Sequence, residues 1–550
     1  MILLGCGFSS HRDDGETGGV GADGSGAGGS SESTNVGGRT SRTSERTAGG
    51  SSLGGTSAGG SSLGGTSAGG SSLGGTSAGG SSLGGTSAGG SSLGGTSAGG
   101  VSAGGTSTGG TTHSCTGIGE DVFVDPQSGN DVDSGSRSAP LKTIERAGAV
   151  ASSRCAKTIW LLDGTYDSAT EPRFTGSAAG ICGQNSGVIL PPDVALRAEH
   201  AGRARLVIGG AHGLCVSGGR VSGLEITRPS LGGPVLETGA GRLDVDATTF
   251  DNCGYPGVSG LIAQSETANS LRSCVVVSKD ANVHLMAQAS HPWLGSSVGT
   301  FATVVDDGRL ETLGGQFHFA PRSASMVLFA TAHRAELALS NSGLTSAIEH
   351  DGVAIQLQDG AKASLTGTST VAGFGMVCNV DSNAASLLLE EVTAERNLYF
   401  AHVNGAATGK TNVTLRSTQV TDAKTAVLIQ SGEVSLLVED SELSANTAGI
   451  LSYGTGTVSV VDSRITDNDI GMLTQPAGGT YSVYLRRTRV SNNATVGVLL
   501  GGTLDGTYDL GTLAAPGDNV FIDNASTNGA SLSVSGGHPI RIFRSRKHLE

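Results

Sequence analysis

The 550-residue sequence is poor in aromatic residues and in charge, and it contains no long apolar run. Aromatic residues make up 4% of the chain and charged residues 15%, with only two tryptophans. No stretch approaches the roughly 20 apolar residues of a membrane-spanning helix, so membrane contact is expected only through an anchor. The net charge of −14 argues against nucleic-acid binding, because phosphate contacts require clustered Lys and Arg.

Glycine is the residue in excess: the chain has 91, concentrated in its N-terminal part. Residues 49–98 hold five uninterrupted copies of GGSSLGGTSA, each with one sizeable aliphatic residue. Such a repeat buries too little apolar surface to offset the entropy of ordering its backbone. Residues 7–114 are therefore predicted to form a disordered Gly/Ser/Thr stalk, and a solenoid of ten-residue repeats is excluded. A flexible chain of this length spans about 50–60 Å, which suits a spacer.

The N-terminal residues 3–6 (LLGC) are two aliphatic residues, a small residue and a cysteine. This pattern resembles the lipobox of bacterial lipoproteins, whose cysteine is lipidated and becomes the first residue after cleavage. The resemblance implies that residues 1–6 are the remnant of a signal peptide and that Cys6 carries the lipid. Because so few residues precede Cys6, we expect the natural start codon to lie further upstream. The expected location is the bacterial outer membrane or cell surface, or the extracellular space.

A folded domain is expected from residue 115 to residue 550. Residues 122–124 (VFV) predict a short strand, and a loop rich in turn residues follows. Pro140 stands where a helix is expected to begin, and apolar residues then recur every three positions, at Leu141, Ile144, Ala147 and Val150. Residues 158–162 (TIWLL) predict a second strand.

Residues 122–166 combine S-G-N-D, then G-S-x-x-x-P-L-K-T-I, and a strand closed by D-G-T-Y. In these elements the segment resembles a bacterial family of unassigned function that opens pectin-lyase-like proteins. The resemblance implies an all-β fold, a single-stranded right-handed parallel β-helix, with the short helix capping its N-terminal end. It implies little about activity, because the family spans enzymes and non-enzymes alike.

The acids of the first loop, Asp125, Asp131 and Asp133, could hold a Ca²⁺ ion, which takes oxygen ligands. Turn and helix-cap hydrogen bonds account for the same residues without a metal. We therefore predict no cofactor and no metal site, with Ca²⁺ as the alternative.

Internal repeats in the C-terminal half support the β-helix independently of that resemblance. Four segments align through one hydroxyl residue each, namely Ser417, Ser441, Ser463 and Thr488. Their spacings of 24, 22 and 25 residues match one coil of a three-sided helix, whereas a propeller blade needs about 40 residues. At roughly 24 residues per coil the domain would have about 17 coils.

A second position repeats within the same segments. Five residues after each hydroxyl stand Asp422, Asn446, Asn468 and Asn493. Polar side chains repeated at one turn predict a ladder of stacked hydrogen bonds along the β-helix.

The eight cysteines include no C-x-x-C pair, which disfavours a zinc or thioredoxin-like site. Cys155 and Cys182 lie about one coil apart, as do Cys253 and Cys274, so both pairs are predicted disulfides in an oxidising compartment. Cys378, within an apolar segment, is predicted to be a buried thiol.

Asp306 and Asp307 are the candidate catalytic pair, because glycoside hydrolysis uses two carboxyl groups as acid and as base or nucleophile. Polygalacturonase-like motifs run in the order N-x-D, D-D, G-H-G and R-I-K. Here His212 precedes the acidic pair and Asn379 follows it, so the order is wrong. Adjacent acids before a glycine are typical of a turn. We expect turn residues, with a catalytic role as the alternative.

The stalk, the anchor and the lack of a catalytic constellation predict a non-catalytic surface lipoprotein for adhesion, matrix contact or envelope structure. The alternative is an extracellular polysaccharide hydrolase or lyase, which rests on fold analogy. In both cases the expected partners are extracellular polysaccharides or envelope and matrix components. Carboxylates, an Arg or a His converging on one face of the coils near Asp306 would favour the enzyme.

Overall fold

The computed structural model describes most of the predicted folded domain. Cys6 and the predicted stalk lie outside the described residues, so lipidation and disorder stay predictions. Within the described part, no helix has the length and apolar character needed to cross a membrane. The described residues are 119–175, 187–210, 213–228, 234–253, 275–277, 281–286, 294–297, 300–321, 326–381, 384–405, 409–476, 478–501, 506–511, 517–524, 532–534 and 546–547.

The described strands form three parallel sheets, called A, B and C, which the chain visits in that order over most of its length. Sheets A and B hold 15 strands each and sheet C holds 14. Each strand pairs in parallel with its counterparts in the preceding and following coils. The predicted right-handed parallel β-helix is confirmed, with somewhat fewer coils than expected.

The strand bounds follow the coils. Sheet A consists of Val122–Val124, Thr158–Leu161, Ala195–Ala198, Gly219–Ser222, Arg242–Asp246, Asn282–Met286, Arg309–Leu313, Glu336–Ser340, Lys362–Thr366, Ser386–Glu390, Lys410–Arg416, Glu433–Glu439, Thr455–Val461, Tyr481–Arg486 and Tyr508–Asp509. Sheet B consists of Gly164–Tyr166, Ala204–Val207, Leu224–Thr227, Thr249–Cys253, Leu294–Ser297, Gln316–Phe319, Gly343–Ser346, Ser369–Ala372, Val392–Glu395, Gln419–Thr421, Glu442–Ser444, Arg464–Thr466, Arg489–Ser491, Val520–Ile522 and Arg546–Lys547. Sheet C consists of Val188–Leu190, Leu214–Val216, Leu236–Thr238, Val275–Val277, Ala302–Val304, Val327–Thr331, Asp351–Leu357, Phe374–Val380, Tyr399–Asn404, Thr425–Ser431, Ala448–Ser452, Ile470–Thr474, Val496–Leu500 and Leu532–Val534.

Coil length varies more than the C-terminal repeats suggest, which explains the smaller number of coils. Arg242 pairs with Asn282 in the next coil, 40 residues later. Asn282 in turn pairs with Arg309, 27 residues later. The additional residues lie between strands. The sheet A pairing stays in register, whereas the sheet B pairing of Thr249–Cys253 with Leu294–Ser297 shifts between Phe250 and Cys253.

Alternating apolar residues form the strands, as Glu433–Glu439 illustrates. Val434, Leu436 and Val438 are buried, and the residues between them face outward. Successive side chains of a strand point to opposite faces, so every second residue lies inside the solenoid. Val438 pairs with Val460 in the next coil, and columns of aliphatic residues thus fill the interior. A fully buried Val or Leu side chain stabilises the fold by about 1.5–3 kcal/mol.

A ladder of buried asparagines runs along the corner between sheets B and C. Asn446 Nδ2 donates to Asn468 Oδ1 over 3.1 Å, and Asn468 Nδ2 donates to Asn493 Oδ1 over 3.0 Å. The same oxygens accept the backbone N–H groups of Asn446, over 2.9 Å, and of Asn468, over 3.1 Å. Asn524 extends the ladder, because its Oδ1 accepts from Asn493 Nδ2 over 2.7 Å. The ladder thus satisfies backbone groups that the sheets leave unpaired at this corner.

The sheet register corrects the alignment of the first repeat. Gln419 pairs with Glu442, which places Thr418, not Ser417, beside Ser441. The Thr418 N–H accordingly donates to Ser441 Oγ over 3.1 Å. Two adjacent hydroxyl residues made the sequence alignment ambiguous by one position.

Asp422 is displaced from the ladder by the same one residue. Ala423 takes the ladder position in that coil, and its N–H donates to Asn446 Oδ1 over 2.9 Å. Asp422 is exposed and has a left-handed backbone with φ of 53°. The assignment of Asp422 to the ladder is therefore corrected to Ala423, which has no side-chain amide.

One helix, α1 (Ile144–Arg154), packs against the first strands of the solenoid. The predicted start at Pro140 is wrong, because Thr143 is the N-cap and its Oγ1 accepts from Arg146 N over 3.1 Å. Leu141 instead forms a bridge with Val124 of sheet A. Ile144 and the following apolar residues are buried, so the capping role of the helix is confirmed. A short 3-10 helix, Pro172–Thr175, follows later in the chain.

The carboxylate of Glu171 is buried at the first turn of α1. Its Oε2 accepts the N–H groups of Ile144, over 2.7 Å, and Glu145, over 3.1 Å, while Oε1 is buried without a hydrogen-bond partner. A negative charge is favourable at a helix N-terminus. Burial has the larger effect and raises the pKa of Glu171 from 4.5 to about 7.

Cys155 and Cys215 are both disulfide-bonded. The predicted partner of Cys155, Cys182, lies outside the described residues, as do Cys274 and the side chain of Cys253, so both predicted pairs stay predictions. The disulfide at Cys215 was not predicted. Cys378 is free and fully buried, and burial raises the pKa of its thiol.

We expect Glu171 to make the domain more stable at mildly acidic than at neutral pH. Between its ordinary pKa of 4.5 and its folded pKa of about 7, the folded state holds a proton that the unfolded state has lost. Stability should therefore fall as the pH rises through this window, by up to about 3 kcal/mol. Denaturant unfolding at pH 4.5 to 8 should show this slope in the wild type but a reduced one in Glu171→Gln. Replacing the exposed Glu120 by Gln is the control, and an unchanged slope in Glu171→Gln would contradict the assignment.

We expect Asn468→Ala to lower the free energy of unfolding by about 2–4 kcal/mol, because the Asn446 N–H and the Leu443 carbonyl lose buried partners. Asp422→Asn, at the exposed neighbouring position, should change it by no more than about 0.5 kcal/mol. Denaturant titration followed by circular dichroism measures both. Equal effects of the two substitutions would show that the ladder is misplaced.

We expect iodoacetamide to label Cys378 only after unfolding, because its thiol is buried and has a raised pKa.

Peptide mapping of the unreduced chain should find Cys155 linked to Cys182. A Cys155 peptide linked to any other cysteine would rule out the predicted pair.

Candidate functional site

The predicted catalytic pair lies at a corner between sheets C and A. Both residues have left-handed backbones, with φ of 52° at Asp306 and 65° at Asp307. In the next coil His333 and Arg334 occupy the equivalent corner, and the His333 carbonyl accepts the Asp307 N–H over 3.2 Å. The two acids are thus part of a repeated turn, as in the turn interpretation.

Polar contacts hold both acids within this corner. Arg334 binds Asp307 through two contacts, Nε to Oδ1 over 2.9 Å and Nη2 to Oδ2 over 2.5 Å. The Arg334 guanidinium thereby lowers the pKa of Asp307 below its ordinary value. Asp306 Oδ1 lies 3.4 Å from His333 Nδ1, and Asp359 Oδ2 lies 3.4 Å from His333 Nε2. An ionised, bidentately paired carboxylate such as Asp307 is poorly suited to protonate a leaving group.

A different set of ionisable side chains meets on the outer face of sheet A. Asp244, His284 and Glu311 stand at the same register position in three successive coils. His284 Nδ1 lies 2.7 Å from Glu311 Oε2, and His284 Nε2 is buried without a hydrogen-bond partner. Arg309 holds the carboxylate, its Nε donating to Glu311 Oε1 over 2.9 Å.

The pairing of His284 with Glu311 is not among the predictions from the sequence. The two residues are 27 positions apart, which equals one coil at this level of the solenoid. Only the register, obscured by irregular coil lengths, relates them. A carboxylate on one ring nitrogen orients a histidine so that the other nitrogen can act as base or acid.

A shallow groove lies along the corner between sheets A and B near the C-terminal end of the described coils. We call it the corner groove; it has a volume of about 490 Å³. Four successive coils supply its lining, which is polar throughout: Ser417, Thr418, Gln419, Asp440, Ser441, Glu442, Asp462, Ser463, Arg464, Arg487 and Arg489. The sequence analysis used some of these residues to define the repeat but assigned no site to them.

The groove follows from the shape of the corner. Asp440, Asp462 and Arg487 occupy its first position in successive coils, with left-handed φ of 50°, 52° and 49°. All three side chains are exposed, while the hydroxyl residue after each is buried. Asp462 Oδ1 and Oδ2 accept from Arg487 over 2.5 and 2.6 Å, which lowers the pKa of Asp462. The corner thus presents a row of charged and hydrogen-bonding groups to the solvent.

Two of the three acids considered for Ca²⁺, Asp125 and Asp131, accept hydrogen bonds from the backbone. Asp125 Oδ1 accepts the Gln127 N–H over 2.8 Å, and Asp131 Oδ1 accepts the Thr143 N–H over 2.9 Å. Across the described part of the chain, no three His, Cys, Asp or Glu residues form a group that could hold a metal ion. Ca²⁺ binding stays a hypothesis from the sequence.

Comparison with known proteins gives one family match. A family model described as "Protein of unknown function (DUF1565)" matches residues 127–178, which overlaps the segment that carries the sequence resemblance. No curated protein matches the sequence.

Among solved structures, the chain is similar to the A-module of the mannuronan C-5 epimerase AlgE6 of Azotobacter vinelandii, with 16% identity and a TM-score of 0.28 over 72% of this chain and 93% of that one. It is similar to a tailspike protein of E. coli bacteriophage HK620, with 12% identity and a TM-score of 0.40 over 72% of this chain and 76% of that one. A GH87 α-1,3-glucanase catalytic domain shows 11% identity and a TM-score of 0.34 over 60% of this chain and 64% of that one. These likenesses concern the fold and leave the activity open.

Proposed function

We propose that this chain is a surface-anchored, non-catalytic lipoprotein whose β-helix binds extracellular polysaccharide, in adhesion or matrix contact. The observation that carries the proposal is the corner groove, an exposed polar channel built from four successive coils. The proposal joins this groove to the anchor and stalk predicted from the sequence, which would hold the domain away from the membrane.

A groove made of stacked coils suits a polymer with a regular repeat. Neighbouring strands of a sheet are about 4.8 Å apart, so equivalent corner positions recur at that interval along the groove. A polysaccharide likewise presents similar hydroxyl groups at regular intervals. Gln419 and Glu442 can accept hydrogen bonds from such hydroxyls, and the arginines of the groove can donate to sugar oxygens.

The state of the acidic pair supports binding without catalysis. Glycoside hydrolysis needs one carboxyl group that keeps its proton near the working pH and a second that attacks or activates water. Asp307 is held ionised by Arg334, and Asp306 lies beside His333. Asp307, whose pKa is lowered by Arg334, therefore has no proton for a leaving group.

A polysaccharide-active enzyme is the second candidate, and the His284–Glu311 pair favours it. Glu311 lies 2.7 Å from His284 Nδ1, which leaves Nε2 as the nitrogen that could take or give a proton. Nε2 is buried, so a sugar ring would reach it only after a neighbouring side chain moved, and it could then act as the base of a lyase reaction. The pair lies on the outer face of sheet A, in coils that precede the corner groove in the sequence.

The full-length chain, incubated with a panel of polysaccharides, tests both candidates. We expect retention on at least one immobilised polysaccharide without new reducing ends or unsaturated sugar products. Gln419→Ala combined with Glu442→Ala should weaken binding about 30-fold, because each loses a hydrogen bond of about 1 kcal/mol. Gln430→Ala combined with Glu433→Ala, which removes the same two residue types outside the groove, is the matched control and should bind normally.

Product formation would decide for the enzyme. Products that disappear in His284→Ala would assign catalysis to sheet A, and products that disappear only in Asp306→Ala would return it to the acidic corner. Absence of binding to every polysaccharide would rule out the proposed function.

A further inference from the structure

Two arginines of the corner groove stand side by side on the outer face of sheet B. Arg464 and Arg489 are register partners in adjacent strands, so their backbones are about 4.8 Å apart. Both side chains are exposed, Arg464 to 65%. Like charges at directly opposite positions destabilise a sheet. Their juxtaposition is therefore a cost to the free protein.

The pairing of these arginines differs from that of their neighbours. Arg416, Arg486 and Arg487 each have a carboxylate oxygen within 2.8 Å. Arg464 forms a longer ion pair with Glu442, Nη1 to Oε2 over 3.6 Å, which is beyond hydrogen-bonding distance. Arg489 donates to the Ser491 hydroxyl over 3.1 Å and has no carboxylate partner among the described residues.

The coils on either side show that the positive charge of the column is limited to Arg464 and Arg489. In the column of sheet B that contains both arginines, Glu442 precedes Arg464 and Val520 follows Arg489. Gln419, Asp440 and Glu442 lie toward the N-terminal end of the groove and offer hydrogen-bond acceptors for hydroxyl groups. The other end holds Arg464 and Arg489 beside Asp462 and Arg487, which are paired with each other.

We propose that Arg464 and Arg489 bind the acid groups of an anionic polysaccharide, whose neighbouring hydroxyls donate to Asp440, Glu442 and Gln419. This inference rests on the proposed polysaccharide binding and names the class of polysaccharide. A guanidinium group binds a carboxylate or a sulfate through two parallel hydrogen bonds, and an anion between two arginines relieves their repulsion. A neutral polysaccharide would leave that repulsion in place.

The proposed attraction of an anionic polysaccharide is local to Arg464 and Arg489, because the chain as a whole is negatively charged. At −14 the protein as a whole repels polyanions, so nonspecific attraction does not account for their binding. The site should also be sensitive to salt, because exposed charges are screened over about 8–10 Å at moderate ionic strength.

Binding of the full-length chain to three probes tests the inference: alginate, which carries carboxylates, dextran sulfate, and neutral dextran. We expect at least one acidic probe to bind about tenfold or more tightly than dextran, and the preferred one identifies the acid group. Arg464→Gln combined with Arg489→Gln should remove this preference. Arg203→Gln combined with Arg396→Gln, which changes the net charge equally outside the groove, should retain it.

Each other outcome has a defined meaning. Equal binding of dextran and the acidic probes, unaffected by the Arg464→Gln/Arg489→Gln variant, would overturn the inference but leave polysaccharide binding in place. Equal losses in both double variants would show a general charge effect and would also overturn it. No binding of any probe or other polysaccharide would remove the proposed function as well. If the double Gln variant does not fold, Arg464→Lys with Arg489→Lys keeps both charges, and unweakened binding there would exclude bidentate recognition.

Discussion

Backbone hydrogen bonding between successive coils is the constraint on which the rest of this structure depends. The sheets satisfy it along the strands, but at each corner the N–H and carbonyl groups turn away from the ladder and need other partners. Asn446, Asn468 and Asn493 meet that need between sheets B and C, and Ser441 and its counterparts do so between sheets A and B. The polar residues that recur in the sequence are therefore the ones that the backbone requires.

The same constraint leaves the outward-facing residues free to vary, and all the candidate sites are made from them. A residue on the outer face has its counterparts directly above and below it, one coil away. A column of such residues is therefore a surface assembled from distant parts of the chain. His284 and Glu311 form one such pair, and Arg464 and Arg489 form another. Which ligands or reactions such a surface supports depends on the side chains that each column brings together, whether they attract each other, as His284 and Glu311 do, or repel each other, as Arg464 and Arg489 do.

The fold was predictable from the sequence because its signals are local: strand alternation, the cap segment and the Asn repeat. Even so, the sequence alignment selects Ser417 in place of Thr418, because the two adjacent residues both carry a hydroxyl. The helix start was set at Pro140, although the cap at Thr143 fixes it later. The sites were not predictable for a different reason. Coils of 40 and 27 residues precede the regular repeats, so no fixed period could relate His284 to its partner.

The 40-residue coil between Arg242 and Asn282 shows how this architecture can change over evolution. Five consecutive residues of sheet A remain in register across it, from Arg242 to Asp246 on one side and from Asn282 to Met286 on the other. Sheet A accommodates the longer coil without a shift, and in sheet B the register shifts only between Phe250 and Cys253. New loops can therefore be acquired one coil at a time, beside columns that already exist. Insertions at the corners can therefore change the binding surface of the solenoid while its buried strands keep their packing.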